Sequence, residues 1–162
     1  MKNTHRISVR ALVIKDESVL LVRHEHRDRP PFWCFPGGLV EPGEDLFTAI
    51  KREIREETYL EVFPKSVVAL QEFKRESLLE VIFSCDYVSG RTNLGSDPDN
   101  SGVPTLVEVK WVEIGEIEKY RVLPIWLSSR LKTEWNSLSS VQLYEVSSKH
   151  QLNTGSPDSS VL

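Results

Sequence analysis

Cysteine is scarce in this chain. Cys34 and Cys85 stand alone, with no CxxC pair. That excludes a disulfide framework and predicts two small buried side chains in a reducing compartment. No apolar run approaches the ~20 residues of a membrane span. The opening MKNTHRISVR has no apolar core, so no secretory signal is expected and the cytoplasm is the default. There is no basic excess either. The net charge is −4, which argues against general nucleic-acid binding but not against a phosphate substrate held by local arginines or cations. No internal repeat is visible. What remains is 162 residues, 40% hydrophobic and 27% charged, the profile of one soluble globular domain.

Residues 38–60 read GLVEPGEDLFTAIKREIREETYL. Asp45 is a good N-cap, and no Pro or Gly interrupts 45–58, so the spacing predicts a helix there. On a wheel of about 100° per residue, Leu46, Ala49, Ile50 and Ile54 form an apolar face. Thr48, Lys51, Arg52 and Arg55 lie opposite. Glu53, Glu56 and Glu57 fall on the apolar face or its edge, at its C-terminal end, within reach of one another. A solvated face of i,i+4 pairs is the usual explanation of such a run, and Arg52 with Glu56 fits it. It does not explain three like charges on the packing side, where burial makes repulsion costly. A bound cation does, and an all-oxygen set suits Mg²⁺ or Mn²⁺. On spacing alone the two explanations stand level.

The segment resembles the Nudix box, G-x5-E-x7-R-E-U-x-E-E-x-G-U, where U is apolar. Gly38, Glu44, Arg52, Glu53, Ile54, Glu56, Glu57 and Leu60 fill its positions; Tyr59 stands where the family has Gly. The resemblance implies an α/β fold, an α/β/α sandwich with a mixed β-sheet and the box as loop–helix–loop. It implies a Mg²⁺-dependent hydrolase, with Mn²⁺ as the alternative cation. Such an enzyme cleaves the pyrophosphate bond of a nucleoside diphosphate linked to another group. ADP-ribose or sugar-nucleotide substrates and nucleoside triphosphates lead the substrate classes. As metal sites it implies the Gly38 carbonyl, Glu56 and Glu57, with Glu53 as a further ligand or as general base oriented by Arg52. Glu44 is expected to pair with Arg52. A homodimer is common in the family. The competing expectation is a non-catalytic nucleotide-binding or sensor module, for which the Tyr59 departure and the tail are the support.

Outside the box, Ile7–Ile14 and Ser18–Arg23 read as a hairpin, and Arg23–Pro31 as a polar loop leading to a short strand at Phe32–Phe35. Val62–Phe73, Leu78–Val88 and Leu106–Val112 read as strands. Ile114–Tyr120 is a short helix, Pro124 opens another, and Val141–Val146 is a further strand. The loop 89–105 is long enough to shape substrate choice. One domain over 1–149 and a mobile tail over 150–162 are expected. Three further site residues are expected. Glu108 lies in an E-x-x-W segment resembling one common in the family, though a solvent-facing strand position explains it as well. Arg23 and Arg27 flank the loop into the box and suit phosphate oxygens, against an ordinary basic surface loop. His24 and His26 read as solvated, and Phe32 and Trp33 as core.

Overall fold

The computed structural model describes residues 5–27, 29–96 and 105–134, and the backbone of 142–146. The strands are β1 (Arg6–Lys15), β2 (Ser18–His26), β3 (Arg29–Cys34), β4 (Leu60–Phe73), β5 (Leu78–Gly90), β6 (Leu106–Glu113), β7 (Val122–Leu123) and β8 (Gln142–Val146). The helices are α1 (Leu46–Thr58) and α2 (Ile125–Glu134), with a 3₁₀ turn at Ile114–Lys119. The proposed tail at 150–162 lies outside the described residues, as do Asp97, Asp99 and the rest of 97–104. No helix among the described residues is long and apolar enough to cross a membrane.

The strands form a mixed sheet in the order β7-β3-β2-β1-β5-β4-β8, with β6 also on β2. β1 runs parallel to β5 from Arg6↔Leu78 to Val13↔Cys85. Its pairing with β2 is confined to the hairpin tip, Ile14↔Val19 and Lys15↔Ser18. Beyond that tip the two strands diverge, which leaves one edge of β1 unpaired by β2. Strand alternation sends side chains to two cores. Val9, Ala11 and Val13 pack with Ala49, Ile50 and Ile54 of α1. Leu12, Val19 and Leu21 pack with Leu127 and Leu131 of α2. This is the expected α/β/α sandwich.

The polar stretch after Arg23 differs from the expected loop. β2 runs on to His26 and β3 begins at Arg29, with Arg23↔Trp33 and His24↔Phe32 in register. The residues are charged yet extended because one face of this ribbon borders a cavity, while β2 is paired along both edges, with β3 and with β6.

α1 follows its sequence signals. Asp45 accepts from the Thr48 amide at 2.8 Å. At the other end Tyr59 takes φ 61°, left-handed, with its N–H donating to the Arg55 carbonyl at 3.0 Å. Its ring is 58% exposed, so little packing offsets the strain. Tyr59→Gly should therefore be neutral or stabilising by up to about 1 kcal/mol, the left-handed penalty less the entropy of glycine. Thermal unfolding checks this; a loss above about 2 kcal/mol would mean the ring packs. The following segment covers the open end of α1. The amides of Asn93, Gly95 and Ser96 donate to the carbonyls of Thr58, Glu57 and Glu56. These are carbonyls that a helix end leaves without an internal partner.

Candidate active site

Divergence of β1 from β2 makes room for the box loop. Val9 N–H donates to the Gly38 carbonyl and Ala11 N–H to the Pro36 carbonyl, both at 2.9 Å, so residues 36–40 lie along the open edge of β1. Gly37 has φ 140°, and a Cβ there would meet the Val9 carbonyl oxygen at 2.1 Å. A Cβ on Gly38 would meet the Glu53 carboxylate at 2.6 Å. Both glycines are needed for close approach: one to the strand, one to a carboxylate.

α1 supplies the acidic groups. Glu53 and Glu57 are 3% and 2% exposed, on the side of α1 that packs. Glu57 Oε2 accepts from the Gly37 amide at 2.8 Å, tying helix to loop. Arg52 organises the rest. Its Nε and Nη2 donate to the two oxygens of Glu44 at 2.8 and 2.9 Å. Its Nη1 donates to Glu53 at 2.9 Å and Glu56 at 3.1 Å, and its Nη2 also reaches the Leu39 carbonyl at 3.0 Å. The bonds to Arg52 hold the Glu44 carboxyl below its ordinary range, and the same bonds keep Arg52 firmly protonated.

A cavity of about 350 Å³ opens beside these groups. Gly37, Gly38, Glu53 and Glu57 border it, as do His24, His26, Arg29 and Phe32 from β2 and β3, and Arg10 and Glu80 from β1 and β5. The rings of His24, His26 and Phe32 cluster in a triangle, with centroids 5.7, 5.9 and 6.2 Å apart. The histidines are not the solvated pair expected. His24 is buried, and desolvation, reinforced by the Arg10 charge, pushes its pKa down to about 3. Burial likewise pushes the Cys34 thiol up to about 12, so this cavity-lining cysteine stays protonated.

His24 sets an acid dependence. Its folded pKa is depressed, so as pH falls from about 6.5 toward 3 the unfolded chain takes the proton first. Stability is lost over that window, by roughly 2 kcal/mol at pH 5. His24→Phe should flatten part of the fall in melting temperature between pH 7 and 5. Parallel curves for the two proteins would remove His24 as the cause.

Arg52 bonds Glu44, Glu53 and Glu56, and Gly38 lies against Glu53, with Glu57 on the Gly37 amide. Arg23 and Glu108 are brought to each other instead, at 3.1 Å, and Arg23 also pairs with Glu25. Arg23 alternates with the cavity-lining His24 and shares its face with Trp33, so this pair faces away from the cavity. Arg27 is exposed in the turn after β2. Arg29, which flanks the same loop as Arg23 and Arg27, is the one of the three that lines the cavity, whereas Arg10 and Glu80 carried no expectation. The available signal was a charged residue inside each apolar strand, Arg10 in RISVRALVIK and Glu80 in LLEVIFSC.

The hard oxygen donors beside Gly38 fit a divalent cation in kind. Among the described residues no group of three or more His, Cys, Asp or Glu stands ready to hold one, and Arg52 pairs with both Glu53 and Glu56. Glu56 is the more exposed of these two and is held at 3.1 Å, so it is the carboxylate most cheaply released.

The NUDIX domain family matches residues 4–130. An ADP-ribose pyrophosphatase of Methanocaldococcus jannaschii is 30% identical over 95 residues, covering 56% of each chain. A human 8-oxo-dGDP phosphatase is 30% identical over 71 residues, 44% of this chain and 22% of that protein. The chain thus matches about half of the first relative's length and less than a quarter of the second's. Among solved structures, a NUDIX hydrolase from Nitrosomonas europaea has a TM-score of 0.72 at 17% identity, over 88% of this chain and 79% of that one. An ADP-ribose pyrophosphatase from Streptococcus suis has a TM-score of 0.66 at 18% identity, over 88% of this chain and 100% of that one. At those identities the structural likeness is one of fold.

Proposed function

This chain belongs to the Nudix family, and we propose that it is a metal-dependent hydrolase of a nucleoside diphosphate linked to another group. One observation carries the reading. Two buried carboxylates, Glu53 and Glu57, stand against Gly37 and Gly38 at the wall of a cavity that two arginines also line. Buried acids are costly unless something balances them. Arg52 and the Gly37 amide do part of this, a divalent cation would add to it, and the two arginines suit the charge of a diphosphate.

In this reading Glu56, Glu57 and the Gly38 carbonyl hold Mg²⁺, or Mn²⁺ in its place. The cation supplies charge neutralisation at phosphoryl oxygens and acidifies bound water. Glu53 completes the ligand set or takes the proton of the attacking water, and Arg52 fixes its orientation. Water oxygen bonds to one phosphorus, the anhydride P–O bond breaks, and two phosphorylated products leave. The Gly38 carbonyl already accepts from Val9, which fixes its direction and leaves its second lone pair for a cation. Tyr59 does not favour a non-catalytic module, because its strain sits at an exposed helix cap and leaves Glu56 and Glu57 in place.

The names of the two relatives put ADP-ribose-type diphosphates and oxidised nucleoside diphosphates at the head of a substrate panel. Sugar nucleotides and nucleoside triphosphates complete it. Incubation with Mg²⁺ and chromatography of the products tests the proposal. Cleavage at a pyrophosphate bond, abolished by chelator, is the expected result. No cleavage anywhere on the panel by folded protein would reject it.

A further inference from the structure

Arg10 has no part in the metal-site reading, yet it is the most elaborately held side chain bordering the cavity. Its Nε donates to Glu80 Oε2 at 2.9 Å. Its Nη1 donates to the carbonyls of Gly37 at 2.7 Å and Phe35 at 3.2 Å. Glu80 is itself fixed: Ser8 Oγ donates to Oε2 at 3.3 Å and Gln71 Nε2 to Oε1 at 2.5 Å. Gln71 in turn accepts from the Trp126 indole at 3.2 Å. A chain of buried polar groups thus runs from α2 through β4 and β5 to the guanidinium on β1.

One part of Arg10 is left over. Its Nη2 amine donates to none of the described residues, and it is not a buried orphan. The residue is half-buried and borders the cavity. Nη2 is thus the donor of Arg10 uncommitted among the described residues, on a side chain that borders the cavity beside Gly37, whose amide holds Glu57. A guanidinium with its other donors committed and one amine presented to a cavity is pre-organised for an oxyanion, since little conformational freedom remains to be lost on binding. If Arg10 served only to pin the loop, Nε and Nη1 would suffice.

We propose that Arg10 is a substrate-binding residue whose Nη2 amine donates to a phosphoryl oxygen of the diphosphate in this cavity, with Glu80 and Gln71 as its positioning residues. This rests on the diphosphate-hydrolase reading above. Glu80 holds the guanidinium plane so that Nη2 faces the ligand. Its own oxygens already accept from Arg10, Ser8 and Gln71, which softens their repulsion of an incoming phosphate.

The test uses the full chain and methylenediphosphonate, a diphosphate analogue that water cannot cleave, with Mg²⁺ present. Arg10→Lys keeps the charge, but one ammonium cannot reproduce the fork that serves Glu80, two carbonyls and a ligand at once. Its affinity for methylenediphosphonate should fall about tenfold or more. Binding of adenosine, which carries no phosphate, should change less than twofold. An unchanged diphosphonate affinity in a variant that still unfolds cooperatively would overturn the proposal and leave the hydrolase reading intact. Equal losses for both probes would make Arg10 merely structural, and overturn it too. Should Arg10→Lys fail to fold, wild-type protein decides. The Arg10 Nη resonances, assigned through its own side-chain correlations, should shift on adding methylenediphosphonate; silent resonances at saturation would reject the contact. Wild-type protein that neither binds the analogue nor cleaves any diphosphate would reject both readings, a result distinct from loss of the Arg10 effect alone.

Discussion

Glu57→Gln is expected to lower kcat tenfold or more, at least about 1.4 kcal/mol in the barrier, with the fold intact. The side-chain carbonyl of glutamine can still accept from the Gly37 amide, the bond Glu57 makes at 2.8 Å. Shape and loop position are therefore kept while the charge is lost. In the absence of metal the variant should be as stable as wild type or more so, because a buried like charge near Glu53 is removed. Wild-type turnover at saturating Mg²⁺ would exclude Glu57 as a ligand. A loss of metal-free stability would show that its main partner is another protein group.

Arg52→Met should have the largest effect on stability. The guanidinium bridges Glu44, Glu53 and Glu56 and caps the Leu39 carbonyl. Without it, carboxylates including the buried Glu53 lose their counter-charge. Breaking a buried pair from one side costs about 3–5 kcal/mol; partial exposure of Arg52 places this case near 3. The cost has a pH signature. Arg52 holds the folded pKa of Glu44 below its ordinary 4.5, so the pairing stabilises above that value and is lost as pH falls through the lowered one. The gap between variant and wild type should narrow below about pH 4. Urea unfolding at pH 7 and at pH 3.5 measures it. A gap that is small at pH 7, or that does not narrow in acid, would contradict the account.

The parts of the site that were legible in the sequence are those whose geometry is local. Asp45, the apolar face of α1, and Glu53 and Glu57 turning inward all follow from one helical period. The left-handed Tyr59 follows from its place at the helix end. Long-range geometry left weaker marks. Arg10 and Glu80 meet because β1 runs parallel to β5, with Ser8↔Glu80 in register. Nothing near either residue announces its partner. Glu108 shows a related limit: alternation within VEVKW was expected to set it apart from Val107 and Val109, but the pairing with β2 is irregular at Val107. The face it shares with Arg23 was decided by the pairing of β2 with β6. His24 and His26 read as polar loop because RHEHRDRPP is charge-dense. A strand that borders a cavity tolerates polar residues that a strand buried on both faces would not.

The central claim is that the acidic end of α1 is a cation site. Mn²⁺ titration followed by electron paramagnetic resonance tests it most directly, since free Mn²⁺ gives a signal that protein-bound Mn²⁺ largely loses. Wild-type protein should remove free Mn²⁺ saturably, and Glu57→Gln should weaken that binding about tenfold or more. Equal Mn²⁺ binding by the two folded proteins, or none by wild type, would contradict the account.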